Sequence, residues 1–126
     1  MRSINRVYLL GNLGSDVELR MTQAGKPVAH FNVATHAARK LEDGTWEERT
    51  EWHRVVVFGP QAEVCSHHLS KGAGVLVEGR ISTRSYEDDQ KARRFVTEVI
   101  AHEVHFLPRG ERRAETVAQA EADLPF

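Results

Sequence analysis

The sequence predicts an all-β fold, a five-stranded barrel with one short α-helix between the third and fourth strands. Three observations predict it. Five segments rich in β-branched and aromatic residues recur along the chain, separated by Gly, Pro, Asn and Asp. One stretch, residues 61–69, has helical rather than alternating spacing. The chain of 126 residues has a single cysteine, Cys65, so an apolar core and not a disulfide framework must hold it together.

The first strand is read at 6–12 (RVYLLGN), with Val7 and Leu9 on one face and Tyr8 and Leu10 on the other. Apolar residues on both faces predict burial on both sides, one toward the core and one toward another subunit. Residues 17–21 extend this strand after the Gly11–Gly14 break, and Gln23–Pro27 is a turn. The second strand covers 28–35 (VAHFNVAT). Residues 36–50 are polar and turn at Asp43-Gly44-Thr45, which predicts a long hairpin into the third strand. That strand, 50–59 (TEWHRVVVFG), ends at Gly59-Pro60. In the helix, Ala62, Cys65 and Leu69 share a face, and Lys71-Gly72 closes it. Cys65 is read as core. A fourth strand at 74–82, a hairpin tip at Asp88–Lys91 and a fifth strand at 95–106 complete the order, and Pro108 stops it. Five strands with a helix between the third and fourth match the OB-fold, a small barrel whose closure removes most exposed edges. Residues 1–107 are therefore expected to form the domain and 108–126 a flexible acidic tail.

Composition bounds the function classes. The formal net charge is −1, so bulk charge does not announce a polyanion binder, and any such site must be built by placing cations. No apolar run is long enough for a membrane span, and Met1–Arg6 lacks the apolar stretch of a signal peptide. A reducing, cytoplasmic compartment is expected. The seven histidines invite a metal, yet His67-His68 diverge on the helix, His102 and His105 fall on opposite strand faces, and His30, His36 and His53 are dispersed. With no Cys-x-x-Cys or His-Glu-x-x-His pattern, neither metal nor cofactor is expected. Asp88-Asp89 reads as a turn rather than an acid/base pair, and no nucleophile arrangement or phosphate loop is found, so no enzyme is expected.

The chemistry concentrates in the third strand. Alternation puts Trp52, Arg54, Val56 and Phe58 on one face, with His53, Val55 and Val57 opposite. Trp52 and Phe58 then stand about 20 Å apart with a cation between them, an arrangement suited to unstacked bases on a flexible polyanion.

TEWHRVVVFG at 50–59, GNLG at 11–14, LSKG at 69–72, VEGRISTR at 77–84 and TEV at 97–99 resemble the bacterial single-stranded DNA-binding proteins. The resemblance runs from about residue 3 to 106 and resumes at Asp123-Leu124-Pro125-Phe126. It implies an OB-fold homotetramer that coats single-stranded DNA in replication, recombination and repair, and an acidic tip ending in Pro-Phe that docks partner proteins. Trp52 and Phe58 match two of the family's stacking aromatics, and Tyr86 falls where the family often has Trp. A further stacking Trp is not matched, its place falling near Arg39. Pro60 stands where a Lys often follows Phe-Gly. Both departures imply weaker or differently shaped DNA contacts. The segment before the tip is also short, spanning about 20 Å r.m.s. if flexible, and it lacks the usual run of Asp.

The residues expected to bind DNA are Trp52, Arg54, Phe58, Arg84 and Tyr86, with Lys71, Arg20 and Arg6 as further phosphate contacts. Arg54 and Arg84 are the better cations because they share strands or hairpins with aromatics. Trp46, lying among Glu47, Glu48 and Arg49, is expected to pack within its hairpin, because those acids repel phosphate. His53, Tyr8 and Leu10 are expected at a subunit interface. Asp123, Leu124, Pro125 and Phe126 are expected to insert into an apolar pocket rimmed by basic residues. Two other readings are a primosome-type OB-fold adaptor in replication restart, against which the Pro-Phe tip speaks, and a nucleic-acid-processing enzyme subunit using the histidines.

Overall fold

A computed structural model describes residues 1–108. The segments are β1 (Val7–Leu13), β2 (Glu18–Met21), β3 (Pro27–Lys40), β4 (Trp46–Phe58), α1 (Pro60–His68), β5 (Gly74–Glu87) and β6 (Arg93–Phe106). β1 and β2 are the two halves of the first strand expected from the sequence, broken at residues 14–17. Neighbouring strands run β1-β5-β6-β4-β3-β2, and a further β1–β3 pairing closes the sheet into a barrel. Every pairing is antiparallel except β4–β6, where Val55 lies opposite Val99. Closure needs β1 to leave β5 and join β3. Gly11 permits that crossing, since a Cβ there would stand 2.2 Å from the Ala34 carbonyl oxygen.

Alternation fills the barrel. Leu9, Leu13, Phe31, Val33, Val55, Val57, Val75 and Val77 point inward and are buried. The helix starts at Pro60, whose fixed φ and missing N–H suit the first helical position. It packs Ala62 and Cys65 against the strands, the face that its spacing predicts, and Leu69 just past its end is buried in the same core. It ends at His68, one residue short of the 61–69 stretch that the spacing marks, and Leu69 is already extended. Burial pushes the Cys65 thiol up to about 11, in keeping with a packing role.

The strands outrun the barrel. β3 and β4 continue to Lys40 and Trp46, and β5 and β6 to Glu87 and Arg93, five or so residues beyond the expected ends of the second and fourth strands. These extensions are exposed on both faces, so they lack the alternation by which a half-buried strand is read. Tight turns close both arms. In the first, the Asp43 carboxylate accepts from the Thr45 hydroxyl at 2.6 Å and its backbone N–H at 2.9 Å. In the second, Asp88 accepts from the backbone N–H groups of Gln90 and Ala92 and from Arg94. Among the described residues, no helix is long and apolar enough to cross a membrane.

Candidate nucleic-acid interface

The β3–β4 ladder keeps one register from Val28↔Phe58 to Lys40↔Trp46. Parity therefore holds along all of β4, and Trp46, Glu48, Thr50, Trp52, Arg54, Val56 and Phe58 occupy one face. Val55 and Val57 fill the core from the other, as the sequence predicts. Trp52 is 61% exposed, and Phe58 is exposed at the far end of the row.

Trp52 is held from beneath. A Cβ on Gly14 would lie 2.0 Å from Cζ3 of the indole, so the ring packs directly on bare backbone. That backbone is fixed in turn, because the Gly14 N–H donates to the Asn32 carbonyl at 2.9 Å. One side of the indole is thus supported and much of the rest stays open to a second flat ring.

Arg54 and Arg84 meet at a buried acid. Glu98 is 6% exposed, the one buried charged side chain among the described residues. Its carboxylate accepts from Arg54 Nε at 3.1 Å and from Arg84 Nε at 2.9 Å. The parallel β4–β6 pairing sets Arg54 beside Glu98, and the β5–β6 ladder puts Arg84 two positions along on the other side, past the Ser82↔Glu98 pair. Two guanidinium groups around one carboxylate leave a local charge of +1, and each Nε bond fixes a guanidinium plane while its terminal nitrogens remain. Arg84 also lies 6.0 Å from the ring centre of the exposed Tyr86. Aromatic and cationic groups from β4 and β5 therefore share one wall, with Glu98 between them.

The other expected contacts are more dispersed. The Lys71 backbone N–H donates to Asp16 at 2.8 Å, so this loop lies beside the β1–β2 break that carries Gly14. Arg20 is exposed on β2, 3.7 Å from Glu18. Arg6 is not part of the β4 row. It contacts His102 Nδ1 at 2.9 Å and lines a cleft of about 350 Å³ with Tyr8, Glu78, Gly79, His102 and Glu103. Tyr8 and Leu10 are both exposed on the outer face of β1. His53 is half-buried and shares a 2.8 Å hydrogen bond with the Thr35 hydroxyl. Trp46, expected to pack within its hairpin, is 62% exposed at the end of its arm. The tip, Asp123–Phe126, lies outside the described residues.

Sequence reasoning missed Gly14 as the support of Trp52, and it missed Glu98. The second left a signal, an acid inside an otherwise apolar strand (VTEVIA, 96–101). It also missed a trio, Glu78, Glu103 and His105, whose ligand-capable atoms lie within 4.8 Å of one another. Glu78 and Glu103 are cross-strand partners, and His105 Nε2 lies 3.4 Å and 3.7 Å from them.

Comparison with known proteins agrees with this geometry. The model of the single-strand binding protein family matches residues 4–107. Single-stranded DNA-binding protein 1 of Chlorobaculum tepidum is 41% identical over 107 residues, 84% of this chain and 66% of that protein. The single-stranded DNA-binding protein of Xanthomonas axonopodis pv. citri is 42% identical over 111 residues, 87% of this chain and 62% of that protein. The chain thus spans just under two thirds of the length of these relatives. Among solved structures, the Plasmodium falciparum SSB complex with ssDNA superposes with a TM-score of 0.79 at 26% identity, covering 86% of this chain and 98% of that one.

Proposed function

Because this chain belongs to the single-strand binding protein family, we propose that it coats single-stranded DNA with little sequence preference, as a binder and not a catalyst, in replication, recombination and repair. The observation that carries this reading is the wall that sets Trp52, Arg54 and Phe58 on β4 beside Arg84 and Tyr86 on β5. Bases stack on the aromatics, whose π-faces accept any base. Arg54, Arg84 and Lys71 neutralise phosphates and release counterions, with Arg20 and Arg6 as outlying contacts. Glu98 keeps two of these cations from drifting into solvent.

Tyr8 and Leu10 form an exposed apolar strip on β1 that a second copy of the chain covers, His53 lies at a subunit contact, and the assembly is a homotetramer in the bacterial cytoplasm. Asp123–Phe126 dock replication and repair proteins. Sedimentation of a stable monomer would remove the subunit claim, and a partner pull-down unaffected by deleting residues 123–126 would remove the docking claim.

The decisive measurement is titration of the chain's tryptophan emission with oligo(dT) at two salt concentrations. Emission should be quenched. The affinity should fall with salt at a log–log slope of about −2 if three phosphates are neutralised. Trp52→Ala should weaken binding about tenfold. A salt-independent affinity, or no quench, would overturn the reading.

A further inference from the structure

We infer that Trp46 is an additional base-stacking platform, carried on the β3–β4 arm and extending the bound strand beyond the barrel wall; the inference rests on the single-stranded DNA reading above. Register is the first ground. The β3–β4 pairing runs to Lys40↔Trp46 without a shift, so Trp46 lies on the same side of the ribbon as Trp52 and Phe58. Six residues at about 3.3 Å each put it about 20 Å from Trp52, the same interval that separates Trp52 from Phe58. The row has three aromatic stations at one spacing.

Exposure is the second ground. Trp46 and Trp52 are 62% and 61% exposed, yet Trp46 has no core to serve at the end of a two-stranded arm. The third is the arm's stiffness. His36 and Thr50 side chains meet at 3.1 Å, and Arg39 donates to Glu47 at 2.9 Å, so cross-strand links tie the arm between barrel and tip. Trp46 is carried at a fixed distance from Trp52 rather than on a loose loop.

Charge sets the character of the station. Glu47, the acid beside Trp46, points to the opposite face and is neutralised by Arg39. On the binding face, Glu48 stands two residues along, while Lys40 is the direct cross-strand partner of the indole. Those two charges offset, so the station contributes by stacking and adds little counterion release. Trp46 should therefore affect affinity without affecting its salt dependence, the reverse of the arginines on the wall.

The chain has two tryptophans, so Trp52→Phe leaves Trp46 as the sole indole reporter. The test adds oligo(dT) to that full-length variant while anisotropy of a labelled oligo(dT) independently reports complex formation. Trp46 emission should be quenched as the complex forms. In parallel, Trp46→Ala should weaken binding about fivefold or more with an unchanged salt slope, and Trp46→Phe should recover most of the loss. Unchanged Trp46 emission in a demonstrated complex overturns the inference and leaves the parent reading standing, as does equal affinity of Trp46→Ala and the unsubstituted chain. An unsubstituted chain that gives no anisotropy rise overturns both.

Discussion

Replacing Glu98 with Gln separates what the buried acid does for the fold from what it does for binding. The substitution keeps shape and removes one charge, leaving Arg54 and Arg84 without their shared acceptor. Two charge-assisted hydrogen bonds at about 1.5–3 kcal/mol each set an upper bound of about 3–6 kcal/mol. Water lowers it, because the Arg54 and Arg84 side chains are 37% and 52% exposed and regain solvation when released. A loss of about 2 kcal/mol is the expected outcome, or a fall of about 8 °C in melting temperature for a domain of this size. DNA binding should move differently. With the carboxylate gone, both guanidinium groups are free to meet phosphates, so the salt slope should steepen by up to ~0.7. Thermal unfolding by circular dichroism and oligo(dT) titration across salt read the two effects separately. A melting temperature within about 2 °C of the unsubstituted chain would refute the idea that Glu98 anchors this wall. A shallower slope would refute the claim that it sequesters part of the arginines' charge.

Two further outcomes follow from the geometry. Gly14→Ala should lower oligo(dT) affinity about tenfold with little change in melting temperature, because the new methyl group would occupy space held by the Trp52 ring at an exposed site; equal affinity would show that the indole does not depend on that support. At the β5–β6 tip, the hydrogen bond from Arg94, followed by that from the Ala92 backbone, holds the Asp88 carboxyl below its ordinary 3.8. A depressed native value means the tip gains stability above the unfolded value and loses it as pH falls through the native one. Protection of the Ala92 amide, its exchange rate relative to the intrinsic rate at the same pH, should therefore fall below about pH 4, and Asp88→Asn should flatten that dependence; an unchanged protection profile would refute the link.

The barrel was legible because its strands are half-buried. Alternation in WHRVVVF marks the core face, and Val55 and Val57 went where parity sends them; β1, apolar on both faces, carried no such mark, and there Leu9 is buried while Tyr8 and Leu10 are exposed. The same reasoning placed Ala62 and Cys65 on the buried side of the helix, and Leu69, just past its end, is buried in the same core. The arms were read short, since polar residues exposed on both sides carry no period. Glu98 showed in the sequence only as an acid in an apolar strand, and its partners did not show at all. Its meaning depends on β4 lying parallel to β6, a neighbourhood that joins residues 44 positions apart. The Gly14–Trp52 contact is likewise long-range. The surroundings of Trp46 were also hidden, because its neighbours are set across the ladder as well as along the chain: Glu47 turns to the other face and Lys40 stands opposite the indole.

Because the β3–β4 arm extends past the core, its length can change without reopening the barrel, but only in fixed increments. Lengthening each strand by one residue would turn Trp46 to the opposite side of the ribbon, since side chains alternate. Lengthening each by two would restore its direction and carry it about 7 Å farther out. The reach of the binding surface is therefore quantised by the pleat, and an arm of this kind is a ruler graduated in residue pairs.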